Sequence, residues 1–206
     1  MKRVAPPPTL RRVACARLPT RWGMFQAIGF QRVKHDSKTE TGLALLLGDH
    51  SEEALPLRMH SQCFTGDVLG SLRCDCGEQF AIAMRTIAAE GRGIIIYEHQ
   101  EGRGIGLMAK LKAYALQDRG LDTIEANHAL GFAADCRDFG LTVAVLHDLG
   151  IKRVRLLSNN PQKIHTLIEG GIEVVEQIPC EAEPNPHALC YLRTKKEKMG
   201  HRLTLL

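Results

Sequence analysis

Short apolar runs alternate with Gly, Pro and charged clusters along the first third of the chain: GMFQAIGF from Gly23, GLALLLGD from Gly42 and PLRMHS from Pro56. Runs of this length bounded by turn residues predict strands, and their closeness predicts an antiparallel or mixed sheet. After Cys76 the period changes. Phe80, Ile82, Ala83, Ile87 and Ala88 fall close to helical spacing, and Gly91 supplies a C-terminal stop. GIIIYEH then predicts a buried strand. Helical patterns return at 106–118 and 138–149, followed by strand VRLLS, helix IHTLIEG and strand IEVVEQI. The second half therefore alternates helix and strand like a crossover unit, and the whole predicts an α/β fold of mixed α+β character, a mixed β-sheet with flanking helices. No repeat or long linker marks a second domain, so 13–206 is expected to form one catalytic domain. Residues 1–12, which include Pro6-Pro7-Pro8, are expected to be a flexible segment.

Composition narrows the classes. Of 206 residues, 44% are hydrophobic and 24% charged, as in ordinary globular proteins, and no apolar stretch approaches a membrane span. The basic N-terminus lacks the apolar core of a secretory signal, which sets the expectation of a cytoplasmic protein. A net charge of +4 favours anionic partners, but with 5% aromatic residues there is no basic stripe interleaved with rings to suggest nucleic acid. Nucleotide phosphates fit better than a polynucleotide or a membrane.

Seven cysteines, two of them in Cys74-Asp75-Cys76, make a poor disulfide framework. Cys63, Cys74 and Cys76 lie among glycines at 66, 70 and 77 that can fold the chain back, so three thiolates can converge on zinc with a fourth position open. Spacing alone leaves two alternatives: reduced cysteines packed beside turns, or a site closed by His60 as fourth ligand. Further on, EHQEGRGIGL follows a strand and precedes a helix; its glycines let backbone N–H groups approach an anion while Arg103 offers a bidentate donor. It matches neither the Rossmann nor the Walker pattern. Asp135 and Arg137 can present a base and a cation to one ligand, against the plainer reading of a solvated helix end. In LLSNNPQK, Ser158, Asn159 and Asn160 precede a proline-started helix; Lys163 in its first turn has the wrong sign for the helix dipole and suits a phosphate.

Taken in order, RMHSQCFTGD, SLRCDCGEQ, QEGRGIGL, KAYALQD, DTIEANHALGFAADCRDF, LLSNNPQK and TKKEKMGH resemble the GTP cyclohydrolase II family over nearly the whole chain. The resemblance implies zinc on Cys63, Cys74 and Cys76, activating water for attack at C8 of GTP with loss of formate. It gives Asp135 a proton-acceptor role and Arg137 the step at the α-phosphorus with pyrophosphate leaving. A guanidinium is a poor nucleophile, so an electrostatic role is the better chemistry. GTP contacts are implied at Arg58, Met59, His60, Ser61, Gln62, Gln79, Glu101, Gly102, Arg103, Thr123, Ser158 and Lys163, with Glu101 suited to read the guanine N1–H and amino group. Tyr114 matches the tyrosine whose loss accompanies relatives that stop after the first hydrolysis. Magnesium with the triphosphate and a homodimer are also implied. The sequence departs from the pattern at Gln62 (usually Glu), Ser158 (Thr) and Cys136 (often Glu). The alternatives are a relative that releases a formamidopyrimidine nucleotide and a non-catalytic, zinc-stapled nucleotide-binding protein.

Overall fold

The computed structural model describes residues 9–34, 37–50 and 53–206. One seven-stranded sheet runs through it in the order β1-β2-β3-β5-β4-β6-β7. Strands β1 (Thr9–Thr20), β2 (Gly23–Val33) and β3 (Thr39–Leu47) form an antiparallel meander that pairs with β5 (Gly93–Glu98). Across β5 the sheet changes character: β4 (Leu55–Ser61), β6 (Arg153–Leu157) and β7 (Glu173–Ile178) continue it in parallel. Parallel strands need crossovers, and α2 (Cys76–Glu90), α5 (Gly140–Asp148) and α6 (Pro161–Glu169) lie on those connections. This is the expected mixed α/β architecture.

Side-chain alternation splits the core into two layers. Ile94 and Ile96 point to the face covered by Leu141, Val145 and Leu146 of α5 and Leu167 of α6. Ile95 between them points to the other face, where Ala83, Met84 and Ile87 of α2 pack. A strand covered on both faces reads as a continuous apolar run, which is why GIIIYE marks β5 at the centre and LALLL marks β3 beside it. Gly91 ends α2 in the left-handed conformation, φ 68°, as its position predicts. Pro161 opens α6, and the Asn160 side chain accepts from the Gln162 N–H at 2.9 Å.

The expectation of a flexible segment over 1–12 needs correction. Residues 1–8 lie outside the described residues, while Thr9–Arg12 begin β1, with Thr9 opposite Val33 and Leu10 opposite Arg32. Among the described residues, no helix is long and apolar enough to cross a membrane.

Candidate functional site

The parallel strands end together, and their C-terminal ends are where open α/β sheets place ligands. Ser61 and Gln62 leave β4, Gln100–Arg103 follow β5, and Ser158–Asn160 follow β6; with the N-terminus of α2, these loops line a cleft of about 1070 Å³ measured out to its mouth. The remaining walls come from α3 (Leu107–Gln117), α4 (Thr123–Ala129) and α7 (Leu189–Met199).

At one end sit the three thiols. The Sγ atoms of Cys63, Cys74 and Cys76 all lie within 4.8 Å of one another, with Cys63 and Cys74 at 3.6 Å. Tetrahedral zinc with bonds of about 2.3 Å requires sulfurs roughly 3.8 Å apart, so the cage fits. Gly66 makes the room: a Cβ there would lie 3.0 Å from Cys74 Sγ and 3.2 Å from Cys63 Sγ. A Gly66→Ala variant is therefore expected to bind zinc at least about tenfold more weakly in chelator competition, the scale on which disturbed ligand shells act. An unchanged affinity would mean the cage relaxes freely.

Charge is shared unequally in the cage. Hydrogen bonds from Cys74 and Cys76, with Lys110 adding its charge, hold the Cys63 thiol far below its usual range, and the bond to Cys63 pushes Cys74 up to about 11. Lys110 Nζ lies 3.0 Å from Cys63 Sγ and 2.8 Å from Glu101 Oε1. His60 does not close the cage. Its Nε2 lies 3.1 Å from both Asp67 oxygens, and Asp67 also accepts from the Cys63 N–H and the Tyr97 hydroxyl. Among the described residues, the three cysteines are the one group of three or more such side chains placed so that they could hold a metal ion.

Away from the thiols the lining is cationic. Arg58, Arg103, Arg137, Lys163 and Lys195 join Arg73 and Lys110, and among the described residues no aspartate or glutamate lines the cleft. Arg103 occupies a left-handed φ of 60°, next to Gly102 at 63°, and both its terminal guanidinium nitrogens are buried without a protein partner. A non-glycine residue held there is strained by about 1–3 kcal/mol, and such strain is characteristic of ligand-binding positions. Arg58 is locked between the Leu157 carbonyl and Gln79 Oε1, and Gln79 donates onward to Asp75 at 2.5 Å. Lys163 is buried with its Nζ on the Met59 carbonyl at 2.8 Å; burial, then the charges of Arg58 and Arg137, lower its pKa well below the ordinary lysine value.

Arg137 grips Asp135 through Nε and Nη2, at 2.9 Å and 2.5 Å, with Nη1 3.5 Å from Ser61 Oγ. Burial opposes both charges, but their mutual bonds prevail: Asp135 is lowered and Arg137 raised. Tyr114 reaches the thiol end, its hydroxyl 3.2 Å from Thr65 Oγ1.

Of the residues singled out in the sequence, Arg58, His60, Ser61, Gln62, Gln79, Gly102, Arg103, Thr123, Ser158, Lys163, Tyr114, Arg137 and the three cysteines line the cleft. Three do not. Met59 is fully buried in the core and offers its carbonyl to Lys163. Asp135 stands behind Arg137. Glu101 is buried, and its carboxylate accepts from the Phe64 N–H at 2.6 Å, the Gly102 N–H at 2.9 Å and Lys110. Lys110, Asp67, Lys195 and His201 were not visible as site residues. Lys110 and Lys195 sit in helices where a lysine ordinarily marks a solvated face, and only tertiary packing buries them.

The family model for GTP cyclohydrolase II matches residues 11–179. Curated relatives named GTP cyclohydrolase-2 are 54% identical: that of Hahella chejuensis over 193 residues, 93% of this chain and 92% of its own, and that of Shigella boydii over 197 residues, 94% and 98%. The Yersinia pseudotuberculosis enzyme matches at 54% over 198 residues. A solved two-domain 3,4-dihydroxy-2-butanone 4-phosphate synthase, RibBX of A. baumannii, is 18% identical with a TM-score of 0.48, covering 84% of this chain and 40% of that one. With a family model spanning most of its length and relatives at this identity over nearly all of it, the chain belongs to the GTP cyclohydrolase II family.

Proposed function

We propose that the protein hydrolyses GTP at C8 of the imidazole ring with release of formate and pyrophosphate, giving 2,5-diamino-6-hydroxy-4-(5-phosphoribosylamino)pyrimidine, the first step of riboflavin biosynthesis. The observation that carries this reading is the joint lining of one cleft: a three-thiol cage together with Arg58, Arg103, Arg137, Lys163 and Lys195, with Arg103 presenting two unpartnered donors. C8 of a purine nucleotide is bonded to N9, which carries the ribose, so the reacting carbon lies close to the phosphate chain, and one cleft that holds both a thiol cage and cations can serve both hydrolytic steps.

Zinc held by Cys63, Cys74 and Cys76 supplies Lewis acidity that makes water a competent nucleophile near neutral pH. The chain's own groups then divide the work. Tyr114, fixed by Thr65, faces the base end, while Lys163 and Arg103 take phosphate oxygens. Arg137 stays protonated beside Asp135 and stabilises charge developing at the α-phosphate and its leaving pyrophosphate, which favours an electrostatic role over covalent attack. Asp135 becomes available as a proton acceptor only as Arg137 shifts onto the phosphate, since both its oxygens are otherwise engaged. Magnesium would accompany the triphosphate, since the lining offers it no carboxylate among the described residues. The unit is taken to be a single domain, supported by one continuous sheet that begins at Thr9 and not at residue 13, and to pair as a homodimer, for which Val13, Leu18 and Met24 on the β1–β2 hairpin offer solvent-facing apolar surface.

The test is incubation of zinc-loaded protein with GTP and magnesium. Equal amounts of formate, pyrophosphate and diaminopyrimidine are expected by mass spectrometry. Pyrophosphate without formate would instead mark a protein whose ring-opening half is absent, and a retained formyl group one that stops at the formamidopyrimidine.

A further inference from the structure

The closing segment, α7 and residues 200–206, forms a wall of the cleft through Tyr191, Lys195 and His201. It is anchored at several points. Ala188, Leu192 and Leu203 make a small apolar cluster, Lys195 Nζ reaches Asp75 Oδ1 at 2.8 Å, and the Arg202 N–H donates to the Asn159 carbonyl at 3.0 Å. Gly200, at φ 66°, caps α7 and turns the chain so that the His201 N–H returns to the Lys195 carbonyl at 3.1 Å. That turn carries the imidazole into the cleft.

There, His201 Nδ1 is buried and has no protein partner. A buried polar atom left in that state costs about 1–3 kcal/mol, so it is a poor structural choice and a reasonable ligand contact. Its surroundings name the ligand's charge. Burial first, then the charges of Lys195, Arg137, Arg103 and Lys163, lower the pKa of His201 to about 3. Arg103, its guanidinium 5.4 Å over the Tyr191 ring, adds two more unpartnered nitrogens on the same side. With Nδ1 carrying the N–H, the imidazole is a donor that, beside the two unpartnered Arg103 nitrogens, matches an anion and mismatches a metal ion.

We propose that His201 is a further substrate-binding residue that donates a hydrogen bond to the phosphate chain of the nucleotide, held in place by the Lys195–Asp75 ion pair. This inference rests on the reading of the cleft as a nucleoside triphosphate site. The ion pair also gives the phosphate wall a physical link to the metal loop, because Asp75 lies between two of the thiols.

The experiment compares the parent with His201→Ala and His201→Gln, using inorganic tripolyphosphate by calorimetry and GTP by steady-state kinetics. His201→Ala is expected to weaken tripolyphosphate binding and raise the KM for GTP about tenfold each, with kcat within about twofold and zinc content unchanged. His201→Gln, which keeps an N–H donor, should recover part of both losses. Unchanged tripolyphosphate affinity and KM in a folded His201→Ala protein would overturn the inference while leaving the proposed reaction standing. If the parent fails to turn over GTP but binds tripolyphosphate in a His201-dependent way, the contact stands and the proposed reaction falls. Should His201→Ala lose its thermal transition, His201→Gln decides: normal tripolyphosphate binding supports the donor role, and weakening as large as that of a His201→Leu control overturns it.

Discussion

A Cys76→Ser variant is expected to lose formate release altogether while continuing to bind inorganic tripolyphosphate within about threefold of the parent, a difference of well under 1.4 kcal/mol. The reason is that the cations lining the cleft have anchors other than the zinc ligands. Cys76 opens α2, so its sulfur is aimed by the helix start, and serine's shorter, harder oxygen replaces a soft ligand at a site of only three. Loss of one ligand should lower zinc affinity by at least about a hundredfold, the upper end of what disturbed outer contacts already cost. Arg58 and Lys163 are held by the Leu157 and Met59 carbonyls and Lys195 by the Asp75 carboxylate, none of which is a zinc ligand. Zinc content by plasma emission, formate release and tripolyphosphate calorimetry on one preparation check this. Formate production at the parental rate in a protein shown to lack zinc would remove the thiol cage from the chemistry.

Arg137→Lys should lower kcat by about 10²–10³ with little change in zinc content, the scale on which a single preorganised charge donor acts. Lysine keeps the charge but not the fork: it cannot hold both Asp135 oxygens through Nε and Nη2 while directing a third nitrogen toward Ser61. The Asp135 carboxylate would then be left partly unpaired in a buried position. Single-turnover pyrophosphate release is the sensitive measurement, since it isolates the step at the α-phosphorus. A rate within about fivefold of the parent would make Arg137 a structural partner of Asp135 and nothing more.

Much of this architecture was legible because local signals and tertiary burial agree. Ile94-Ile95-Ile96 reads as a central strand because both faces of β5 are covered, and Asn160-Pro161 reads as a helix start because capping is a local bond. Strand β1 was not legible. Its side chains are almost all exposed on both faces, so no period-2 burial pattern exists, and it is defined only by its register with β2. The site divides in the same way. The cysteines and the phosphate-facing loops are contiguous motifs, whereas Asp67 and Lys110 act through partners that only the fold brings near. Glu101 shows what a motif leaves out: two consecutive left-handed residues after it send Arg103 into the cleft while its own carboxylate bonds Phe64 and Lys110.

The strand order carries a consequence for how the chain reaches this state. Strands β3 and β4 are neighbours in sequence but not in the sheet, because β5 lies between them and joins the antiparallel and parallel halves. Until residues 93–98 arrive, β3 presents an open edge, and β4 lacks both of its sheet neighbours, since β6 also comes later in the chain. Assembly therefore cannot proceed strand by strand from the N-terminus, and a nascent or truncated chain ending before Gly93 leaves the β3 edge open and β4 unpaired. Fragments cut within α2 should aggregate, and refolding should be limited by the insertion of a single six-residue strand.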